Sequence, residues 1–273
     1  MVLKLSKALY GLRQAPRAWD TCLDRSLKHL GFSKCALEQS VYTRGKDRTG
    51  VITRIYVDDL IVTGEHSEAI VAYKQQMMAE FEMSDLGLLT YYLGIEVAQS
   101  EDGIRIKQTA YAKKVLMQFD MLDCNPTKLP MDPRSQLHKD PEGQPVDATE
   151  YRRIIRCLRY LLHTMPDLSY AVGVSNRFMG RPTVMHHKAV KQILRYLKGT
   201  IHFGLVYTRG RGEEVIVGFT DSDLVGDVDD RKSTRDMAFY VNESLVSWNS
   251  QKQKTVALSS CEAEFMAATA ATC

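Results

Sequence analysis

No apolar stretch in this 273-residue chain approaches the ~18 residues of a membrane span. The opening residues, Met1-Val2-Leu3-Lys4-Leu5-Ser6-Lys7, lack the apolar core of a secretory signal. Cysteine is scarce and scattered, at positions 22, 35, 124, 157, 261 and 273, with no Cys-x-x-Cys pair. That spacing argues against a zinc site or a disulfide frame and fits reduced thiols, so an intracellular protein without membrane contact is expected. Asn242-Glu243-Ser244 fits a glycosylation sequon, which means little without a secretory signal. Internal repeats and low-complexity tracts are absent. What remains, 44% hydrophobic and 25% charged residues, is an ordinary globular composition. The length allows one large or two small domains.

Charge is unevenly spread although the net value is only +3. From Tyr151 to Arg211 the lysines and arginines stand against a single acid, Asp167, giving +11. From Gly212 to Cys273 the balance is −6. A basic block beside an acidic one suggests a polyanion-binding segment next to a metal site.

The most informative stretch is Ile52 to Gly64, where Asp58 and Asp59 sit between the apolar arms Ile55–Val57 and Leu60–Val62. Two β-branched runs meeting at a polar tip predict a hairpin with the two acids as its turn. No glycine relieves that turn. At about 4 Å and an effective dielectric near 20, the two charges repel by roughly 4 kcal/mol. Hard oxygen donors suit Mg²⁺, which would neutralise them; a surface turn with two solvated acids is the plainer reading.

Tyr56-Val57-Asp58-Asp59 followed by Leu60-Ile61-Val62-Thr63-Gly64 resembles the catalytic hairpin of reverse transcriptases, and most of all those of copia-type retrotransposons. The resemblance implies templated DNA synthesis, with Asp58 and Asp59 as catalytic residues holding two Mg²⁺ ions and Tyr56 at the nucleotide. The chemistry would be in-line phosphoryl transfer clamped by a metal pair. The implied partners are an RNA template, an RNA–DNA hybrid and a deoxynucleoside triphosphate.

Other segments extend the likeness. Leu9 to Trp19 leads into a helix, with Pro16 in its first turn, Gly31 at its end, and Trp19, Leu23, Leu27 and Leu30 on one apolar face. It resembles the segment lying under template and nucleotide. That implies nucleotide or template binding by Tyr10, Gly11, Arg13 and Gln14, with Gly11 admitting a close backbone approach; Arg17 is either a further contact or a solvated charge. Ser67 is placed to cap a helix reaching about Glu82, with Ile70, Tyr73, Met77 and Phe81 inward. Tyr91 to Val97 reads as a strand whose glycine lies close to another backbone. In the family it is a primer-gripping hairpin, which implies that Leu93 and Gly94 touch the primer.

Asp102-Gly103 signals a turn, followed by a strand and a helix led by Thr109. Pro126, Pro130, Pro133, Pro141 and Pro145 then predict an extended linker. Beyond it, Tyr151–Met165 and His187–Lys198 predict two helices. Their basic stripes, Arg152, Arg156 and Arg159, and Lys188, Lys191, Arg195 and Lys198, are either solvated faces or phosphate contacts. Leu194 to Thr200 resembles the connection segment of copia-type Pol proteins.

The last sixty residues or so predict a strand ending at Asp221, a hairpin around Asn242-Glu243-Ser244, and a helix capped by Ser259 with Glu262 in a capping box. Glu264 has no such structural role. Phe219 to Asp223 and Glu264 to Ala268 resemble the first two catalytic positions of ribonuclease H, implying Asp221 and Glu264 as metal-binding catalytic acids. The resemblance places a further polymerase carboxylate upstream of Leu9 and the other ribonuclease H acids beyond Cys273, so this isolated chain is expected to hold both sites in part. The competing reading is a catalytically dead remnant that binds nucleic acid through its basic helices. Three charges depart from the family pattern: Arg54 in a hairpin strand expected to be apolar, and Arg156 and Asp236 near positions where glycine is common. Each is expected to disturb packing.

The expected fold is α+β: a partial reverse-transcriptase palm, an antiparallel sheet with helices on one face, with the start of the thumb, within residues 1–124. A helical connection follows over 125–211, then the N-terminal half of a ribonuclease H-like α/β fold over 212–273.

Overall fold

The computed structural model describes residue 9 and residues 11–45, 50–210 and 215–273. Tyr10, expected at the nucleotide, lies outside the described residues. The chain forms two compact units, Met1–Leu89 and Thr90–Cys273.

In the first unit, α1 (Ala15–His29) begins with its proline in the first turn and ends at Gly31, whose φ of +83° favours glycine. Strands β1 (Ser33–Lys34), β2 (Val41–Arg44), β3 (Val51–Tyr56) and β4 (Asp59–Gly64) follow, then α2 (Ser67–Glu80). The strands form one antiparallel sheet in chain order. Leu23 and Leu27 of α1 and Tyr73 and Met77 of α2 pack with Phe32, Tyr42 and Val51 into one buried core. The inward face of β3 is Val51, Thr53 and Ile55; Ile52, Arg54 and Tyr56 point outward. Arg54 is therefore exposed, with Glu38 nearby, and disturbs no packing. The capping position of α2 is His66, one residue before the expected Ser67, and its helix stops at Glu80 because Phe81 is extended.

The second unit opens with β5 (Tyr91–Tyr92) and β6 (Ile95–Ser100), a hairpin as the resemblance implied, where the bare pattern read a single strand. Leu93 and Gly94 both have positive φ, +48° and +81°, the pattern of a type I′ turn. β7 (Gly103–Lys107) continues the meander, and α3 (Thr109–Gln118) follows. Next come α4 (Ala148–Leu161), α5 (Ser169–Asn176) and α6 (Val184–Gly199). Ile154, Ile155, Leu158, Leu161, Val190, Ile193, Leu194 and Leu197 of α4 and α6 share a core with Val115 and Leu116 of α3. The sequence did not predict α5, nor β8 (Gly204–Thr208), which pairs with β7 and completes a four-stranded antiparallel sheet.

The proline-rich stretch carries no regular element beyond a bridge at Pro145, yet it is tied down. His186, fully buried at the start of α6, accepts the Thr183 N–H at Nδ1 (2.9 Å). Its Nε2 then carries the proton and donates it to the His138 carbonyl at 2.8 Å. Thr183 donates its hydroxyl to Asp140 at 2.7 Å, and Phe178 stacks on the imidazole. Burial keeps the His186 pKa low, holding the ring in the neutral form that this geometry needs.

The chain closes with β9 (Ile216–Ser222), β10 (Thr234–Val241) and β11 (Ser244–Lys252), an antiparallel sheet in the order β11-β10-β9, and α7 (Ser260–Thr272). Ser259 caps α7 by accepting the Glu262 N–H at 3.1 Å. Glu262 reaches the N–H of Leu258 at 2.7 Å, one residue before the partner a capping box uses. Among the described residues no helix is long and apolar enough to cross a membrane.

Candidate active site

The hairpin β3–β4 forms as expected, but one residue early. Tyr56 pairs with Asp59, so the two turn residues are Val57 and Asp58, and Asp59 opens β4. Val57 has φ +58°, whereas Asp58 stays negative. A positive φ confined to the first turn position is the type II′ pattern, whose twist matches the flanking strands. Glycine usually fills that place. A β-branched residue there costs of order 1–3 kcal/mol, strain that surrounding contacts must hold.

One such contact comes from α1. The Trp19 indole N–H donates to the Val57 carbonyl at 2.7 Å, and the ring meets Phe81 edge-on with centroids 5.4 Å apart. The helical spacing read from the sequence marks Trp19 as a core residue and cannot show its second job. We predict that Trp19→Phe, which keeps the aromatic contact and deletes the donor, lowers stability by about 1 kcal/mol. It should also loosen the Val57–Asp58 turn; faster amide exchange at Asp58 and Asp59 in NMR would show it, and parent-like exchange would rule out this anchoring.

Asp58 and Asp59 are both exposed, and neither has a hydrogen-bond or ion-pair partner among the described residues. Two open carboxylates at adjacent positions are a fitting donor set for a hard cation that takes its other ligands from phosphates and water. Among the described residues no three His, Cys, Asp or Glu side chains gather closely enough to hold a metal by themselves. Tyr56 is half-exposed on the outward face of β3. Arg13, Gln14 and Arg17 are exposed at the start of α1. Gly11 has φ +89°, a conformation that favours glycine, with open space around it.

In the second unit the Leu93–Gly94 turn is braced from α4. The Tyr160 hydroxyl donates to the Leu93 carbonyl, and a side chain at Gly94 would meet the same oxygen at 3.0 Å. The neighbour of this glycine is therefore a tyrosine side chain, not a backbone. The basic stripes divide. Arg152 donates to the Met179 carbonyl at 3.3 Å, and Arg195 Nε to the Asn125 carbonyl at 2.7 Å. Arg156, Arg159, Lys188 and Lys191 are exposed, and Lys198 is half-buried. Arg156 sits on the open side of α4 and disturbs no packing.

At the end of the chain Asp221 and Asp236 stand directly opposite across β9 and β10. Glu264 Oε1 accepts the N–H of Ser222 at 3.3 Å, which brings it beside Asp221. Asp223 is bound up in the following loop, accepting the N–H groups of Gly226 and Thr234. Burial, helped by Asp221 and Asp223, pushes the Asp236 carboxyl above its usual value, against the charge of Arg177. Asp236 thus faces Asp221 across the sheet and does not disrupt packing as expected. Its only sequence signal was being an acid at a family glycine position; the strand register that pairs it with Asp221 is not visible in a linear reading.

A hairpin with paired aspartates on an antiparallel sheet, with two helices on that sheet's buried side, is the arrangement of a reverse-transcriptase palm. Residues 1–133 match the family described as "Reverse transcriptase (RNA-dependent DNA polymerase)". The "Retrovirus-related Pol polyprotein from transposon RE1" of Arabidopsis thaliana is 37% identical over 97% of this chain and 18% of its own length. The "Retrovirus-related Pol polyprotein from transposon TNT 1-94" of Nicotiana tabacum is 35% identical over 98% of this chain and 21% of its own. A mitochondrial protein of Arabidopsis thaliana, AtMg00810, described as uncharacterized, is 35% identical over 78% of this chain and 88% of its own. The chain belongs to the copia-type retrotransposon Pol family. It spans about a fifth of the length of the polyproteins it matches. No solved structure matches it.

Proposed function

We propose that this chain is the palm-bearing and connection segment of an RNA-directed DNA polymerase, followed by the first part of a ribonuclease H-like module. The observation carrying this reading is the Asp58–Asp59 pair, exposed and unpartnered among the described residues, on a hairpin held by Trp19. Asp58 and Asp59 would hold Mg²⁺ together with the phosphates of an incoming deoxynucleoside triphosphate. The metal, when bound, neutralises charge developing on the transferred phosphoryl group. The chain's own part is geometric. The II′ turn fixes the directions of both carboxylates, so that the two donors need no reorganisation when substrate arrives. Tyr56, Tyr10, Gly11, Arg13 and Gln14 would frame the nucleotide and template. The Leu93–Gly94 turn, stiffened by Tyr160, would support the primer strand.

The three functional parts of this reading are residues 1–124 for the palm, 125–211 for the connection and 212–273 for the ribonuclease H-like part. Support for the last comes from the strand, hairpin and helix order and from Glu264 lying beside Asp221. Asp221 and Glu264 would bind Mg²⁺ there and act on the RNA strand of a hybrid. Exposed basic residues, Arg156, Arg159, Lys188 and Lys191 foremost, with Lys198 and the already engaged Arg152 and Arg195 behind them, would contact phosphates without reading sequence.

Primer extension on an RNA template with Mg²⁺, comparing the chain with its Asp58→Asn form, tests the reading. Extension by the parent and its loss in the variant would support the reading and require a third carboxylate to complete the site. Equal extension by both would remove Asp58 from the site. No extension by either would reject polymerase activity for this chain and leave nucleic-acid binding as its residual function.

A further inference from the structure

We propose that the cleft between α4, α5 and β11 binds a single strand of nucleic acid, with Arg156 and Arg159 on its phosphates and Trp248 stacked against a base. This depends on the reading above only for the class of ligand. At about 970 Å³ the cleft sits at the upper end of the ~300–1,000 Å³ range of ligand pockets, room for a few nucleotides. Its construction follows from the fold. α5 lies against β11 at Gly173, where a side chain would come within 3.5 Å of the Ser250 carbonyl. Residues Val246 to Lys252 of β11 line the cleft, and Arg156, Arg159 and His163, at and just beyond the end of α4, face it.

The lining is basic and contains no acid. Two of its cations already have structural partners. Arg177 is bound to Asp227 and Thr234, and Lys252 to Asp227 and Asp230. Arg156 and Arg159 differ. They lie three apart on one helix face, both are exposed, and neither has a hydrogen bond, ion pair or ring contact among the described residues. Like charges at that spacing destabilise a helix, and an anion between them reverses the sign. His163 adds a third donor, its ring 5.5 Å from that of Tyr160.

Trp248 is half-buried in the cleft lining. Cations along a groove with an aromatic platform are what single strands need, because phosphates supply affinity and every base has a face to stack. Tyr160 continues the path: it lines the cleft and also donates to the Leu93 carbonyl.

The test is binding of a fluorescein-labelled single strand of about 12 nucleotides to the whole chain, followed by anisotropy across about 50 to 200 mM salt. Single-stranded DNA, single-stranded RNA, duplex DNA and inorganic phosphate are the arms. Arg156→Gln with Arg159→Gln is expected to weaken single-strand binding on the order of tenfold and to flatten the salt slope by about 1.4, roughly 0.7 for each lost phosphate contact. Arg153→Gln, on the same helix but with its guanidinium over the Phe119 ring, should leave both unchanged. Trp248→Leu should weaken binding on the order of tenfold with the slope intact. In a Trp19→Phe background Trp248 is the sole tryptophan, and its emission should be quenched by the strand but not by phosphate. The double lysine form, Arg156→Lys with Arg159→Lys, should keep the slope, separating charge loss from misfolding. Absence of binding by the parent, parent-like binding by the glutamine form, equal loss with Arg153→Gln, equally tight duplex binding, or no quenching would each overturn the proposal. None of these readouts depends on extension, so the cleft and the polymerase reading fail separately.

Discussion

Asp227→Ala is expected to lower the unfolding free energy by about 3–5 kcal/mol, because it leaves half-buried cations without their counter-charge. Asp227 is 4% exposed in the loop between β9 and β10. One carboxylate oxygen accepts Arg177 at 3.2 Å and Lys252 at 2.6 Å; the other accepts the N–H groups of Asp229 and Asp230 at 3.0 and 3.3 Å. Arg177 closes α5 and also donates to Thr234 at the start of β10, and Lys252 closes β11. One side chain thus joins α5 to two strands and a loop of the last sheet.

Burial pushes the Asp227 carboxyl upward, but the Lys252 and backbone hydrogen bonds outweigh it, and the net result lies below the usual value of 3.8. The folded-state pKa is thus depressed. The stabilisation is fully present above the unfolded-state value and disappears as pH falls through the lower, folded one. Urea unfolding from pH 7 down to pH 3 is the measurement, since denaturant midpoints at constant slope report stability. The gap between parent and variant should hold to about pH 4 and narrow beneath it. Asp227→Asn, which retains the acceptor for the two N–H groups, should lose less. A gap under about 1 kcal/mol at pH 7 would place this cluster with hydrated surface pairs.

Gly103→Ala is expected to cost about 2–4 kcal/mol, from backbone strain and overpacking together. Gly103 has φ +147°, and a side chain there would fall 2.0 Å from the Tyr207 carbonyl oxygen. The clash is with backbone, so no rotamer relieves it. Relief requires β8 to part from β7 at the Gly103–Thr208 pair. Hydrogen exchange should accelerate at the β7–β8 amides first, while β3–β4 in the other unit stays protected. Unchanged exchange and stability would mean that β8 does not pair in this register.

Both positions show where a linear reading stops. Asp102-Gly103 was legible as a turn, but not the strand a hundred residues later whose carbonyl fills the space beside it. Asp227 reads as one acid among several in an acidic segment, and its partners at 177 and 252 have no sequence pattern linking them. Local periodicity did identify α1, α2 and α4 and their buried faces, because each helix advertises its core side at fixed spacing, and it placed α6 by its basic stripe. It missed α5, too short for a stripe to emerge, and β8, five residues with no turn signal of their own. It also put the hairpin tip on Asp58–Asp59, since only the backbone shows that Val57 takes the left-handed place.

The sequence by itself determined the family, the paired aspartates and their hairpin, and the segregation of basic and acidic blocks, all properties of neighbours along the chain. Only the tertiary structure decided that Trp19 holds the Val57 carbonyl, that Asp236 faces Asp221, that Tyr160 braces the Leu93–Gly94 turn, and that Arg156 and Arg159 open onto an acid-free cleft. The physical reason is the same in each case. Patterns along the chain record which face of an element is buried, whereas hydrogen bonds and unpaired charges are set by partners that packing brings from tens of residues away.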